Sequence, residues 1–245
     1  MTLHDVIKAL EEISSNAQVE GARYGYFASL YLGMTRSVRD ALGKGLYDND
    51  ARMEQLCVVF AQRYLDAFAT WRAGKPPTRS WAVAFSEGQR DGITSIQHLL
   101  LGVNAHINLD LGIATQIVAS GTDIELLKPD FDRINGTIAS LFNVVKARLR
   151  SISWPIRYLD DLGGSIDDRI ATFSIRIARD EAWLFAKRLH TWPAFDHARI
   201  IVDRDAAIAA FARRIIQPGA AANVVLRPVK WAEPRDVRAI LASMQ

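Results

Sequence analysis

The sequence predicts an all-α protein, a single-domain bundle (residues 1–245) of about eight to ten helices around one buried central helix. Apolar residues recur at three- and four-residue spacing in nearly every segment, and capping or helix-ending residues separate these segments. Residues 92–109 contain no Asp, Glu, Lys or Arg, whereas an exposed helix normally carries several charges. With 49% hydrophobic residues, the 245-residue chain can bury a sizeable core.

Helix caps place the elements of the first half of the chain. Thr2 and Asp5 form a capping-box pattern, and Asn49 precedes a segment with apolar residues at helical spacing. We expect the following helices in order: one that begins at Thr2, one from Gln18 to Leu42, one from Asn49 to Gly74, a short one opened by Thr78 or Ser80 that contains Trp81 and Phe85, and the central helix from Gly88 to Ser120.

The same kinds of residue divide the second half. Pro129 stands at a helix start, and Ser165 with Asp168 is a second capping-box pattern. We expect helices over these segments: Pro129 to Trp154, Ser165 to Thr191, Phe195 to Ile216 and Glu233 to Met244. The helix after Ser165 should bury these side chains: Ile170, Phe173, Ile177 and Trp183 or Leu184. Only residues 223–226 have a pattern compatible with a strand.

The charge of the chain argues against nucleic acid and membranes as partners. The net charge of +3 comes from residues 191–245, which contain eight Lys or Arg and five Asp or Glu. No dense basic run with interleaved aromatic residues is present, so we expect no nucleic-acid partner. The uncharged run at residues 92–109 contains two His and two Asn, which is untypical of a membrane span.

Cysteine content and the N-terminal residues predict a cytoplasmic protein. The single cysteine, Cys57, excludes an intramolecular disulfide. The first residues lack the basic and then apolar pattern of a secretory signal.

The central helix carries several polar groups in otherwise apolar surroundings. His98, His106 and Asp110 are separated by eight and four residues and form one stripe along the helix. Asn104 and Asn108 form a neighbouring polar stripe. Buried groups of this kind cost folding energy unless they find partners. The sequence therefore predicts a functional site on this helix.

The first interpretation of this site is a metal centre. His106 and Asp110, at i and i+4, project to the same side of a helix and can supply two ligands to one divalent ion, zinc or iron. A further ligand would have to come from another helix: Asp180, Glu181 or Asp66. His98 lies two turns earlier, about 12 Å along the axis, and so is far from Asp110.

The second interpretation is acid–base catalysis without a metal. Asp110 would accept a hydrogen bond from His106 and fix its tautomer, so that His106 acts as a base or acid near neutral pH. His98 would be a second proton-transfer group, and Asn104 and Asn108 would hold the substrate. The reaction would be that of a lyase, isomerase or cyclase.

Arginines on other helices could compensate the charge of Asp110 or clamp an anionic substrate. Three of them lie in helices with apolar faces: Arg63, Arg176 and Arg179. A surface pair is the simpler alternative for each, as between Arg176 and Asp180 at i and i+4. The third interpretation of the polar stripe is structural, because its groups could simply bond neighbouring helices and fix their packing.

Three segments resemble one protein family. QHLLLGVNAHINLDLGIA at residues 97–114, RYLDAF at 63–68 and ARDEAW at 178–183 are similar to an uncharacterised family of bacterial helical proteins known only as a domain of unknown function. This resemblance spans most of the chain and implies an all-α single domain without an assigned activity. His106-x3-Asp110 by itself is also similar to the helical zinc-dependent phospholipases C and related nucleases, whose other zinc-binding histidines have no counterpart here.

These observations lead to one functional hypothesis and two alternatives. The hypothesis is a small-molecule enzyme, a metal-dependent hydrolase with one divalent ion at His106 and Asp110 and a small-molecule substrate. The alternatives are the metal-free acid–base enzyme and a non-enzymatic ligand-binding or scaffold protein.

Overall fold

The computed structural model describes residues 1–87, 89, 92–134, 136, 165–217 and 236–244. Every regular element within these ranges is a helix, which confirms the predicted all-α fold. Across the same ranges, no helix combines the length and the apolar character that crossing a bilayer requires.

The described elements comprise α-helices, one π-helical segment and two short 3-10 turns. The 3-10 turns cover Ile124–Leu127 and Ala194–Asp196. The longer elements are, in chain order, α1 (Leu3–Glu20), α2 (Tyr24–Ala41), α3 (Asp50–Arg72), α4 (Arg79–Glu87), α5 (Ser95–Ala105), π1 (His106–Leu111), α6 (Gly112–Ala119), α7 (Ser165–Thr191), α8 (His197–Ile216) and α9 (Val237–Met244).

The first two helices meet at a turn at Gly21, within a segment predicted to be helical. The capping box of α1 is present, because the Asp5 amide donates to the Thr2 hydroxyl at 3.2 Å and the Thr2 amide donates to the Asp5 carboxylate at 2.8 Å. The expected helix from Gln18 to Leu42 is instead divided at Gly21, which has a φ of 65°. Glycine adopts this left-handed conformation without steric cost and ends α1.

The start of α4 is capped by a different residue from the one expected. Neither Thr78 nor Ser80 caps it through its hydroxyl. The carboxylate of Asp205, on α8, accepts hydrogen bonds from the Arg79 and Ser80 amides at 2.7 and 2.9 Å. An acidic side chain from a distant helix therefore takes the role of the local cap and fixes α4 to α8.

The predicted helix from Ser165 to Thr191 is confirmed as α7, but part of its expected buried side is wrong. Trp183 is 4% exposed, whereas Ile177 and Leu184 are 44% and 58% exposed. The expected buried positions Ile170 and Phe173 lie outside the residues whose side chains are described. α7 turns its small residues toward α6, which allows the two helices to approach closely.

Two further predictions fall mostly on undescribed residues. Residues 128–134 are helical, in agreement with a helix near Pro129. The remainder of that segment, as far as Trp154, and the possible strand at 223–226 lie outside the described ranges.

The central helix consists of α5, π1 and α6 and is enclosed by other helices. α5 contacts α2, α4 and α8, while π1 and α6 both contact α3 and α7. Two glycines permit the closest approaches: a Cβ at Gly102 would lie 2.5 Å from the Phe27 ring, and one at Gly112 would lie 2.8 Å from the Ala182 carbonyl oxygen. The predicted buried central helix is confirmed, but it begins at Ser95 rather than near Gly88, because Thr94 and Gln97 form a capping box there.

Candidate functional site

The carboxylate of Asp110 accepts hydrogen bonds from three side chains. Arg63 Nε donates to Oδ1 at 2.9 Å, Trp81 Nε1 donates to Oδ2 at 2.8 Å, and His106 Nδ1 lies 3.2 Å from Oδ2. These donors come from α3, α4 and π1. Asp110 is 1% exposed, so these partners replace the water that it would otherwise bind.

Asp110 differs from the other two deeply buried aspartates of the described residues. Asp130 accepts from the Asp48 and Asn49 amides, which precede α3, and Asp205 accepts from the first amides of α4. Both therefore bind backbone amides at helix N-termini, and Asp130 also accepts from Arg133 at 2.7 Å. Among the described residues no backbone amide donates to Asp110, whose donors are all side chains: an imidazole, an indole and a guanidinium.

The pair formed by His106 and Asp110 lies within π1. A π-helix widens the turn by one residue, and such segments inside α-helices frequently occur at functional sites. Gly102 and Gly112, at which other helices approach the central helix closely, lie on either side of this segment. The π-helical turn therefore lies between two positions at which neighbouring helices pack closely against the central helix.

Aromatic rings surround the His106 imidazole. Phe60 stacks on it with ring centroids 3.6 Å apart and an interplanar angle of 8°, and Tyr31 meets it edge-on at 4.5 Å. More distant rings complete the enclosure: Phe27 at 5.6 Å, Trp81 at 5.9 Å and Tyr64 at 6.2 Å. His106 is 2% exposed, so aromatic side chains shield the imidazole almost completely from solvent.

The protonation state of His106 follows from these surroundings. Burial lowers the pKa of His106, although the hydrogen bond to Asp110 acts in the opposite direction. The neutral ring is therefore the form present near pH 7. Since a carboxylate can only accept, Nδ1 carries the hydrogen and Nε2 keeps a free lone pair. Nε2 is buried and has no hydrogen-bond partner among the described residues.

The side of the site nearest to solvent is formed by α3. Phe60 and Arg63 are both partly exposed, and the Arg63 side chain retains 27% of its accessible surface. They lie three residues apart and therefore on one face of the helix. These two side chains therefore separate the His106 ring from solvent on the α3 side.

The two asparagines expected to bind substrate are engaged in helix packing. Asn104 Nδ2 donates to the Ile208 carbonyl at 3.2 Å, and Asn108 Nδ2 donates to Asn104 Oδ1 at 2.9 Å. Arg204 Nε donates to the Asn108 carbonyl at 3.1 Å. This polar stripe connects the central helix to α8, as the structural interpretation proposed for such groups.

His98 is buried but is separate from the group around Asp110. It is 6% exposed, and its ring lies edge-on to Tyr26 with centroids 5.7 Å apart. Neither ring nitrogen has a hydrogen-bond partner among the described residues. Burial lowers the pKa of His98 to about 4. Since Phe27 packs on Gly102 between the two histidines, His98 is not brought into the same site as His106.

Of the three candidate arginines, the structure brings Arg63 alone to Asp110. Arg179 is 3% exposed, but it donates to the Phe131 carbonyl at 2.6 Å and lies over the Phe131 ring. Arg176 is on the exposed side of α7. The expected ion pair of Asp110 with an arginine from another helix is thus present, and its partner comes from α3.

The candidate metal ligands are not gathered into one cluster. Within the described ranges, no group of three or more His, Cys, Asp or Glu side chains could hold an ion. Asp180 is exposed, whereas His106 and Asp110 are buried. The other two candidates are also engaged elsewhere: Asp66 accepts from Gln62, and Glu181 is 55% exposed and near Arg204.

Several residues of the site were not identified from the sequence as site residues. The sequence indicates Trp81 only as a candidate lining residue of an apolar cavity, with core packing as its default role, and it does not single out Tyr31, Phe60 or Tyr64 for the site. The sequence of α3 nevertheless indicates that some of these residues lie together. Arg63 and Tyr64 follow Phe60 by three and four residues, so the three side chains share one helical face. The pairing of that face with π1 is a long-range contact that periodicity does not specify.

Comparisons with known proteins bear on the family resemblance of the three sequence segments. No curated protein and no solved structure matches the chain. One family model covers most of it, residues 3–218. The chain belongs to this family, a family of unknown function designated DUF5995.

Proposed function

We propose that the protein is a metal-free acid–base enzyme in which His106 Nε2 accepts a proton from a small-molecule substrate. One observation carries the proposal: His106 is bonded through Nδ1 to Asp110, while its buried Nε2 has no partner among the described residues. An imidazole oriented by a carboxylate, with the opposite nitrogen free, is the arrangement that general-base catalysis uses.

Asp110 is the positioning residue of this proposal. Its bond to His106 Nδ1 fixes the tautomer and stabilises the positive charge that forms when Nε2 takes a proton. Arg63 and Trp81 hold the carboxylate from two other helices at 2.9 and 2.8 Å. The carboxylate therefore does not need to reorganise during proton transfer.

The proposed step breaks a C–H bond of the substrate and forms an N–H bond at His106 Nε2. In a lyase, the electron pair left on carbon forms a double bond and expels a leaving group from the neighbouring carbon. In a cyclase, it attacks a carbonyl carbon of the same molecule, and the carbonyl oxygen takes the displaced electron pair and the proton from Nε2. In an isomerase, the double bond shifts and the proton on Nε2 returns to another carbon. The rings around His106 favour a largely apolar substrate that excludes water from the base.

Metal-dependent hydrolysis remains the alternative, and the donor set around Asp110 supports it less well. Both carboxylate oxygens already accept hydrogen bonds, and the Arg63 guanidinium at 2.9 Å repels a cation. A metal could still bind His106 Nε2, with Asp110 as the carboxylate that orients the histidine. That arrangement would need ligands beyond the described cluster. The similarity to zinc-dependent phospholipases C belongs to the same alternative.

We further propose a cytoplasmic location and a small-molecule partner rather than nucleic acid or membrane. The single cysteine and the weak net charge of +3 support both statements. A ligand-binding or scaffold role would use the same buried residues but would not need a free base at Nε2.

Proton transfer can be tested before the substrate is known. Incubation of the protein with a mixed metabolite library in D₂O should introduce deuterium at a carbon position of one compound or of its product, detected by mass spectrometry. We expect His106→Gln to abolish this incorporation, because glutamine has no basic nitrogen. Asp110→Asn should reduce it by a large factor, since the tautomer of His106 is no longer fixed.

His190→Gln is the matched control, because His190 is a half-buried histidine at the end of α7, away from the Asp110 cluster. The His190→Gln variant should incorporate deuterium into the substrate or product at the wild-type rate. Equal incorporation by wild type and a folded His106→Gln variant would eliminate the proposed base. Activity that is lost on chelation and restored by zinc or iron would replace the proposal with the metal alternative.

A further inference from the structure

Arg179 is a buried cation with little compensation. Its side chain belongs to a residue that is 3% exposed, and Nη2 donates to the Phe131 carbonyl at 2.6 Å. Nε is buried without a hydrogen-bond partner, and no carboxylate of the described residues forms an ion pair with it. A guanidinium has five N–H donors and is costly to bury unless an anion accepts from it.

The surroundings of Arg179 are mainly apolar and aromatic. The guanidinium carbon lies 4.4 Å from the centroid of the Phe131 ring, which covers one face of the group. Phe131 packs against Trp183 with ring centroids 5.0 Å apart, within a large core cluster. Cys57 is a partly buried residue packed against this cluster, and the charge of Arg179 acts on its thiol. The guanidinium thus lies against an apolar, partly aromatic core.

The titratable groups near Arg179 do not neutralise it. Asp132 and Asp180 are close enough to raise its pKa, but burial outweighs them and lowers the pKa of Arg179 to about 10. Asp132 is paired with Lys128, and Asp180 is exposed. The Cys57 thiol and the Tyr47 hydroxyl are neutral near pH 7, so neither provides the missing negative charge.

We propose that Arg179 is an anion-binding site, distinct from the Asp110 cluster, that takes the carboxylate of a small apolar monocarboxylic acid. The planar guanidinium suits the two oxygens of a carboxylate, which it can bind through parallel N–H donors. A single buried cation balances one negative charge, which favours a monocarboxylate over a phosphate dianion. The core cluster around Phe131 favours an apolar or aromatic body for the ligand.

Benzoate and its neutral analogue benzamide are suitable probes. In urea unfolding of the full-length protein, benzoate should raise the unfolding midpoint saturably, because a ligand of the folded state stabilises it by mass action. Benzamide should leave the midpoint unchanged, as should sodium chloride at the same ionic strength. In Arg179→Met the benzoate shift should disappear, while the variant without benzoate should be at least as stable as wild type.

Arg204→Met is the matched control. Like Arg179, Arg204 donates to a backbone carbonyl and lies over a phenylalanine ring, here Phe185 at 5.1 Å. Its variant should keep the wild-type benzoate shift, and so should His106→Gln, which removes the proposed base. If Arg179→Met does not fold, Arg179→Lys should bind benzoate more weakly than wild type. An equal shift with benzamide, an equal shift in Arg179→Met, or no benzoate shift in wild type would overturn the proposal.

Discussion

At the scale of single residues, the cost of burying Asp110 explains the composition of the site. The carboxylate is 1% exposed and receives one charged and two neutral donor groups. All three donors bond an ionised carboxylate, but Arg63 alone among them also brings an opposite charge, so Arg63 contributes most of the compensation. The same requirement holds Trp81 and His106 in fixed orientations, which leaves His106 Nε2 at a defined place.

Asp110→Asn should therefore be strongly destabilising. The amide keeps the shape of the side chain, but it removes the charge that Arg63 neutralises and places an NH₂ group against one of the three donors. Loss of one partner from a fully buried pair costs about 3–5 kcal/mol. We expect somewhat less in urea unfolding, since the Arg63 side chain is 27% exposed.

Glu11→Gln is the control for that variant. It breaks the exposed pair between Arg36 and Glu11, whose N–O distance of 2.7 Å is comparable to that in the buried pair. Such exposed pairs contribute about 0–1 kcal/mol. If both variants changed the free energy of unfolding by the same small amount, the Asp110 cluster would not be a strongly coupled site.

At the scale of secondary-structure elements, the central helix is fixed by small residues at its crossings. Gly102 faces the Phe27 ring and Gly112 faces the Ala182 carbonyl oxygen. Between them, π1 carries His106 and Asp110. The position of the catalytic candidates thus depends on the close packing of α2 and α7 against the central helix.

Gly102→Ala should test this dependence. Three atoms of Phe27 lie 2.5 to 2.8 Å from the Cβ position of Gly102, and all belong to a buried side chain. Overpacking of this kind costs about 1–3 kcal/mol, which should exceed the gain of about 1 kcal/mol from replacing a helical glycine. Thermal unfolding should therefore show a lower midpoint.

The comparison variant is Gly136→Ala, because Gly136 is also helical and an added Cβ there would meet no atom of the described residues within 4 Å. It should be neutral or stabilising. A stabilised Gly102→Ala variant would mean that Phe27 moves freely, and the crossing would not hold π1 in place.

At the scale of the whole molecule, the helices share a continuous interior. Leu42, Cys57 and Phe60 pack against both of the largest core clusters, one near α6 and α7 and the other near α1 to α4. We infer that the described helices unfold together. The polar groups within this interior then make the stability of the whole molecule depend on pH.

Stability should decrease in mild acid because of His98. Its pKa is about 4 in the folded protein, since burial lowers it from 6.5. Between these values the unfolded chain binds more protons than the folded one, so the free energy of unfolding falls as the pH falls through this window. A shift of this size corresponds to a loss on the order of 3 kcal/mol.

Urea unfolding between pH 7 and pH 4 measures this effect. His98→Gln should show a smaller decrease than wild type over the same range. His197→Gln should not, because His197 is only half-buried and its hydrogen bond to the Trp192 carbonyl lies at the surface. Identical pH profiles for wild type and His98→Gln would exclude His98 as the source of the acid sensitivity.

Local sequence signals made much of the fold predictable. The composition of the site was less predictable, because it depends on contacts between residues that are far apart in the sequence. The capping box of Thr2 and Asp5 and the cap at Asn49 act within three residues and are present as expected. The bond from Trp81 to Asp110 joins residues 29 apart, and the bond from Asn104 to Ile208 joins residues 104 apart. Helical period shows which residues share a face, but it does not show which face of another helix meets them.

The most direct test of the central claim is the protonation of the two His106 ring nitrogens, measured by nitrogen NMR of the ¹⁵N-histidine-labelled protein. The His106→Gln spectrum identifies the His106 signals among those of the five histidines. We expect a protonated Nδ1 and an unprotonated Nε2 from pH 6 to pH 8, the neutral tautomer with a free base at Nε2. A proton on Nε2 at pH 7, in either the other tautomer or the imidazolium form, would contradict the proposed role of His106.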